Sequence, residues 1–263
     1  MPQGKKLARL ATWNVNGIRA AAKAGFADWA RGSGADVILL QEVRAEEAQL
    51  PEDVKALGNY HAVWFPASVK KGYSGTAILS KEAPKRVWRG LGYEEFDGEG
   101  RFLAAEFADM VAASAYFPNS QDGGKRLDYK LRFCDAAGEW LSKLAKKAKP
   151  VVLGGDYNIA PYEIDLARPK DNHNTPGFLP EERAWMDGFL RAGWTDAWRH
   201  LNPETVKYSW WSARTGARAK NIGWRIDFHT LPKKHADRLV AAAMHNDILG
   251  SDHCPVTVDL ALD

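Results

Sequence analysis

What most constrains this chain is a repeated juxtaposition: a short apolar run ends and a carboxylate or carboxamide follows at once. Leu10-Ala-Thr-Trp13 leads to Asn14, Val37-Ile-Leu-Leu-Gln41 leads to Glu42, and Val151-Val-Leu-Gly-Gly155 leads to Asp156 and Asn158. Trp224-Arg-Ile leads to Asp227, and Ser251-Asp-His-Cys-Pro255 sets Asp252 and His253 just before a final apolar run. Short runs rich in Val, Ile and Leu read as buried strands. Strand ends are rigid, so side chains from several of them can converge on one rim of a sheet.

The strand pattern covers Leu7 to Trp13, Val37 to Leu40, Thr76 to Leu79, Val111 to Tyr116, Val151 to Leu153, Arg225 to Leu231 and Pro255 to Leu260. One helix is expected over Leu127 to Ala148, where Leu127, Leu131, Cys134, Leu141, Leu144 and Ala145 recur at helical spacing. A second is expected over Pro180 to Ala192, opened by Pro180, with Glu181 and Glu182 in its first turn and Gly193 closing it. Strands in both halves with helices between imply an α/β fold. Strands from Thr76 to Tyr116 follow one another without a helix, and long loops follow Asn158 and Tyr208. Both features favour a pair of packed sheets over one open sheet. No low-complexity tract, linker or internal repeat divides the 263 residues, so residues 1–263 are expected to form one domain.

Hydrophobic residues make up 45% and charged residues 26%, an ordinary globular balance. Two cysteines, Cys134 and Cys254, match no metal-ligand spacing and suit free thiols in a reducing compartment. The polar start shows no signal peptide, and the longest apolar runs are far too short to cross a bilayer. A cytoplasmic protein with no membrane element is expected. The net charge of +3 says little, but from Lys207 to Arg238 eight Lys/Arg stand against two acids, with Trp210, Trp211 and Trp224 among them. Interleaved cations and aromatics suit a phosphate backbone and unstacked bases; a solvated basic face with core tryptophans is the plainer alternative.

Taken singly, an Asp after a strand is more often a turn former or a helix cap, Asn14 before Asn16-Gly17 is a turn signal, and a lone His is more often structural. Five such events together are harder to dismiss. Carboxylates gathered without a cation would repel and raise one another's pKa. A hard, oxygen-seeking cation such as Mg2+ resolves that repulsion with one or two carboxylates and retained waters. No Cys/His cluster or HExxH supports zinc, and no P-loop is present. The chemistry expected is attack on phosphorus in a substrate backbone.

Seven segments in chain order carry a resemblance: Trp13-Asn-Val-Asn-Gly17, Gln41-Glu42, Gly72-Tyr-Ser-Gly75, Tyr116-Phe-Pro-Asn119, Gly155-Asp-Tyr-Asn-Ile159, Gly223-Trp-Arg-Ile-Asp227 and Ser251-Asp-His-Cys-Pro255. The set resembles the exonuclease III family of apurinic/apyrimidinic (AP) endonucleases, over essentially the whole chain from about residue 7. Gly223 to Asp227 and Glu163-Ile-Asp-Leu166 look more like the branch with bacterial ExoA-type and animal enzymes. The resemblance implies a four-layer α/β sandwich, two mixed sheets flanked by helices, with the active site at one end. It implies Glu42 as principal metal ligand with Asn14 beside it, Asp252 as a further ligand, and Asp156 and Asn158 near the metal. His253, paired with Asp227, would contact the scissile phosphate. Asp156 would orient or deprotonate water, and Asn158 and Tyr116 would hold the phosphate.

Sequence leaves open whether Asp156 is the base or Tyr116, as phenolate, is the nucleophile. Asp156 is favoured, since a phenolate starts about three units above neutral pH. The resemblance makes Trp210 and Trp224 walls of a pocket for a sugar lacking its base, and Arg19, Tyr73, Asn119, Asn172 and Arg214 backbone contacts. The implied cofactor is Mg2+, with Mn2+ able to substitute. The implied partner is double-stranded DNA carrying abasic sites or blocked 3′ ends, met by a monomer. Two departures stand out: Asp122, where relatives often carry a base, and the Asp171-Asn-His-Asn174 loop. A non-specific nuclease, phosphoinositide phosphatase or sphingomyelinase would share the carboxylates, but not the Tyr116–Asn119 or Gly223–Asp227 segments. A silent DNA-binding module would not need Glu42, Asp156, Asn158, Asp227 and His253 all intact.

Overall fold

The computed structural model describes residues 6–147, 149–214 and 216–262. Twelve strands form two six-stranded sheets. The first holds β1 (Lys6–Asn14), β2 (Val37–Gln41), β3 (His61–Phe65), β4 (Thr76–Ser80), β11 (Leu239–Met244) and β12 (Val256–Leu262), in the order β11-β12-β1-β2-β4-β3. The second holds β5 (Arg86–Arg89), β6 (Phe102–Glu106), β7 (Val111–Tyr116), β8 (Val151–Asp156), β9 (Trp194–Asp196) and β10 (Asp227–Pro232), in the order β5-β6-β7-β8-β10-β9. Each sheet is mixed: its central pair, β1/β2 or β7/β8, is parallel and every other ladder is antiparallel.

Side-chain alternation along the strands separates three apolar layers. Leu10, Val37, Leu39, Ile78, Leu103, Ala105, Ala112 and Val152 face inward and fill the space between the sheets. Ala11, Trp13, Ile38, Leu40, Ala77 and Leu79 face outward, against the helices Ile18–Lys23 and Phe26–Gly32. Phe102, Ala113, Ala115, Val151 and Leu153 face the other way, against Leu127–Ala145 and Pro180–Arg191. Two sheets buried on both faces with helices outside make the four-layer sandwich that the resemblance implied.

The parallel central pairs set the position of the site. Crossover helices return the chain so that β1 and β2 end at one edge, Asn14 opposite Gln41. β7 and β8 likewise end together, Tyr116 opposite Asp156. The antiparallel partner β10 begins where β8 ends, pairing Asp227 with Asp156. Four strand ends and one strand start therefore reach the same rim.

Five strands had no clear sequence signal. β3 and β5 are edge strands with exposed or half-exposed side chains, and β9 has three residues. β6 (FLAAE) and β11 (LVAAAM) are rich in alanine, which has little strand preference. The Leu127 helix ends at Ala145, and the expected extension to Ala148 lies partly outside the described residues. Its buried stripe runs through Lys130, Phe133, Cys134, Ala137 and Leu141, whereas Leu127 and Leu131 are half-exposed. A short helix, Glu94–Asp97, interrupts the strands expected to run on from Thr76 to Tyr116.

Close approach of β8 to its neighbours depends on Gly154 and Gly155. A Cβ on Gly155 would lie 2.0 Å from the Ala115 carbonyl oxygen, and one on Gly154 would lie 2.6 Å from Leu39 Cδ1 in the facing sheet. Gly155→Ala should destabilise the protein by about 3 kcal/mol or more in urea unfolding. Gly188→Ala, on the exposed side of the Pro180–Arg191 helix with nothing within 4 Å, should stabilise it by about 0.5–1 kcal/mol. Equal effects of the two substitutions would contradict the packing argument.

Candidate active site

The rim gathers its acids in a buried environment: Asp156 and Asp227 are each 1% exposed and His253 is 4% exposed. His253 Nδ1 lies 2.9 Å from Asp227 Oδ2, and Nε2 lies 3.9 Å from Asp156 Oδ2. Burial alone would lower the imidazole pKa. The facing charges of Asp227, then Asp156, outweigh it and raise the ring to about 10. Burial, against the pull of His253, pushes Asp156 up to about 7. Tyr116 is raised well above an ordinary phenol by burial and by the charge of Glu42.

Amide donors aim the carboxylates. Asn14 Nδ2 donates to Glu42 Oε2 at 3.0 Å and to Asp156 Oδ2 at 2.9 Å. The Asn158 main-chain N–H donates to Asp156 Oδ1 at 2.8 Å, and its side-chain amide donates to the Phe117 carbonyl and to Asp156 Oδ2. Asn119 Nδ2 in turn donates to Asn158 Oδ1 at 3.0 Å. Glu42 and Asn158 hold left-handed backbone, φ 55° and 51°. Such non-glycine strain concentrates at functional sites.

Asp252 stands on the far wall, accepting from Trp210 Nε1 at 3.0 Å and Asn16 Nδ2 at 2.9 Å. Among the described residues, the acid–histidine set whose ligand atoms lie within 4.8 Å of one another is Asp156, Asp227 and His253, a buried group that could hold a metal. A protonated imidazole has no lone pair to offer a cation. Glu42 with Asp156 is the oxygen pair that fits a hard cation better. The Asn14 side-chain oxygen is occupied by the Asn16 N–H at 2.9 Å, so Asn14 here acts as a bridge between the two carboxylates.

Asn14, Glu42, Asp156, Asn158, Asp252 and His253 line a cleft of about 550 Å³. Tyr116, Asn119, Asn172, Trp210 and Trp224 lie on its walls. The two tryptophans are half-buried, edge to face at 6.2 Å, and rest on Leu166, Phe178 and Ile226. They are therefore not simple core residues; Trp211, 3% exposed, is the core tryptophan of that segment. Arg19 lies instead on an adjoining cavity of about 780 Å³. Tyr73 is not on the walls of either cavity, and its hydroxyl accepts from Arg101 and Arg126 while donating to Glu99. Arg214 is exposed on the loop after Trp211, outside both cavities. Asp122 is exposed in a 3₁₀ turn ahead of the Leu127 helix.

The supporting contacts of several groups gave no signal in the sequence, although Gln41 lay in one of the motifs and Glu182 in the first turn of a helix. Ser209 Oγ donates to Asp227 Oδ2 at 2.6 Å and accepts from the Ile226 and Asp227 N–H groups. Gln41 Nε2 donates to Thr12 and Ser114 hydroxyls at 2.9 Å, tying the two sheets together directly behind Glu42. Lys130 and Glu182, both fully buried, pair at 2.6 Å. Lys130 also donates to the Asn158 carbonyl at 2.6 Å, and Glu182 accepts from Ser120 and from the Gly177 and Leu179 N–H groups. Their partners lie in distant segments, so no local pattern of residues announces them.

Comparison with known proteins places this arrangement. The model of the endonuclease/exonuclease/phosphatase family matches residues 11–253. The chain is 44% identical over 253 residues to an exodeoxyribonuclease of Bacillus subtilis (strain 168), covering 94% of this chain and 97% of that protein. It is 41% identical over 256 residues to the DNA repair nuclease APEX1 of Danio rerio, covering 97% and 82% respectively. The AP endonuclease LMAP from Leishmania major superposes with a TM-score of 0.86 at 28% identity, covering 97% of this chain and 88% of that one.

The His253 pKa is raised in the fold. The stability its pairing contributes is therefore complete below the unfolded value near 6.5 and is lost as pH rises through about 10. In the metal-free protein, NMR of the ring nitrogens should show His253 as imidazolium at pH 8. A neutral ring at that pH would overturn the charge assignment.

Proposed function

This chain belongs to the endonuclease/exonuclease/phosphatase family, on its exonuclease III and AP endonuclease branch, and from that premise we propose a Mg2+-dependent DNA-repair nuclease that incises abasic sites. The substrate is duplex DNA, cut 5′ to the lesion to leave a 3′-hydroxyl. Trimming of 3′ ends, as 3′–5′ exonuclease and 3′-phosphatase, is proposed for the same site. Residues 1–263 act as one domain and as a monomer. Two free, buried cysteines suit a cytoplasmic setting.

The observation that carries this reading is the buried Asp227–His253 pair facing Asp156 across a cleft walled by two half-exposed tryptophans. Glu42 and Asp156 would hold Mg2+, with Mn2+ able to substitute; when bound, the cation would neutralise charge on the phosphate oxygens. The His253 imidazolium donates a hydrogen bond from Nε2 to a non-bridging oxygen while Asp227 fixes the ring. Asp156 orients and deprotonates the water. Its carboxylate is aimed by Asn14 and Asn158, whereas burial, and then the charge of Glu42, make Tyr116 a poor source of phenolate. Tyr116 and Asn158 contact the phosphate. Trp210 and Trp224 admit a sugar without its base, since a flipped abasic nucleotide costs less to extrude. Asn119, Asn172 and Arg19, which line the two cavities, and exposed Arg214 follow the backbone on either side, whereas the Tyr73 hydroxyl is held by Arg101, Arg126 and Glu99. Incision beside uracil or oxidised bases is proposed as a further activity of the same cleft, read on duplexes that carry those bases.

A nicking assay on duplex DNA bearing one abasic analogue should show cleavage 5′ to the lesion, abolished by chelator and restored by Mg2+. Equal cutting of undamaged duplex would sink lesion specificity. His253→Asn should lower turnover by at least about 10²-fold while DNA binding, read by anisotropy, changes little. Near-normal turnover in that variant would remove His253 from the mechanism.

A further inference from the structure

Glu42 already has a cationic partner. Arg44, two residues on, shares its left-handed backbone (φ 53°), and both side chains turn to the same rim. Arg44 Nε donates to Glu42 Oε1 at 3.0 Å and a second guanidinium nitrogen reaches the same oxygen. The other carboxylate oxygen is taken by Asn14. The backbone that carries this pair is clamped on both sides. Gly17 N–H bonds the Glu42 carbonyl at 2.8 Å, and Arg44 N–H bonds the Ser74 carbonyl at 2.9 Å. The Arg44 side chain is 44% exposed, against 14% for Glu42, so a ligand can reach the guanidinium from solvent.

Arg44 also lies on the boundary of two spaces. It lines the 550 Å³ cleft and the adjoining 780 Å³ cavity, where Arg19 and Lys23 also stand and Asp53 is the one acid among the described residues. Released from Glu42, Arg44 would leave three cations along that cavity against Asp53, an unfavourable arrangement until a polyanion fills it. Kept on Glu42, it would share the carboxylate with any bound metal, and two cations on one carboxylate repel.

We propose that Arg44 is a resident counter-ion of Glu42 that a divalent metal must displace, and that the displaced guanidinium takes a substrate phosphate in the adjoining cavity. Metal and DNA then bind with positive coupling, and by linkage each raises the affinity of the other by the same factor. The free protein holds metal weakly, and the complete site assembles on the substrate. This inference rests on the reading of Glu42 as a metal ligand.

Mn2+ titration by calorimetry tests it, with and without a duplex carrying one abasic analogue and hydrolysis-resistant phosphorothioate linkages. In Arg44→Gln, Mn2+ affinity without DNA should rise roughly ten-fold, and the enhancement by DNA should fall towards unity. Arg44→Lys, which keeps a cation, should lie between. Unchanged or weaker Mn2+ binding by Arg44→Gln would overturn the proposal. Tighter binding with undiminished DNA enhancement would remove its phosphate half. Glu42→Gln separates the premise: it should lose Mn2+ binding, and wild-type binding there would overturn the metal-ligand reading itself.

Discussion

A charged imidazole enclosed by Asp227, Asp156 and Asp252 is the interaction on which the working end of this sandwich depends. Water is largely excluded there, so an unbalanced anion would be costly and would be neutralised by protonation. His253 supplies one positive charge, fixed from several directions. Asp227 holds Nδ1, the Trp13 indole N–H bonds the His253 carbonyl at 3.2 Å, and Ser251 Oγ accepts from its N–H. Trp13 belongs to the outer core of the first sheet, while Asp227 begins β10 of the second. The ion pair therefore ties the two halves of the fold at the point where they form the cleft.

Three further buried charge networks lie behind the site, and each anchors a loop rather than an element. Lys130–Glu182 gathers the segments at Ser120, Asn158 and Gly177. Arg225, fully buried, bonds Asp165 and Asp196 and so fixes the chain between Trp224 and Asp227. Arg101 bonds Glu99 and the Tyr116 carbonyl, with its guanidinium 4.7 Å from the Tyr116 ring. Buried ion pairs give little net stability against well-packed apolar residues, but removing one partner is severe. Their value here is geometric. Loops, unlike strands, have no ladder to hold them, and these pairs supply directional bonds instead.

How much of this could be read from the chain differs between elements. Strands that carry Val, Ile and Leu in unbroken runs, β2 and β8, were plain, because burial on both faces demands that composition. β6 was hidden because its alanines let a buried strand pack closely without announcing itself, and β11 because it is an alanine-rich edge strand that is partly exposed. The helix at Leu127 was legible as a period, yet its inward stripe includes Lys130, a residue that only a buried Glu182 could accommodate. Periodicity reports which face is apolar; it is silent on an ion pair formed with a segment fifty-two residues away.

The sequence alone determined the residue types at the strand ends, the order of the seven motifs and the family they mark. It could do so because those features are local: an apolar run and the acid after it are neighbours in the chain. Tertiary structure decided everything that depends on distance. It paired His253 with Asp227, set Asp156 3.9 Å away, bridged Glu42 to Asp156 through Asn14, and left Trp210 and Trp224 half-exposed while burying Trp211. It also put Arg44 on Glu42. Charge balance in a buried site is a sum over neighbours in space. Those neighbours come from β1, β2, β8, β10 and the turn before β12, brought to one rim only when two parallel pairs close face to face.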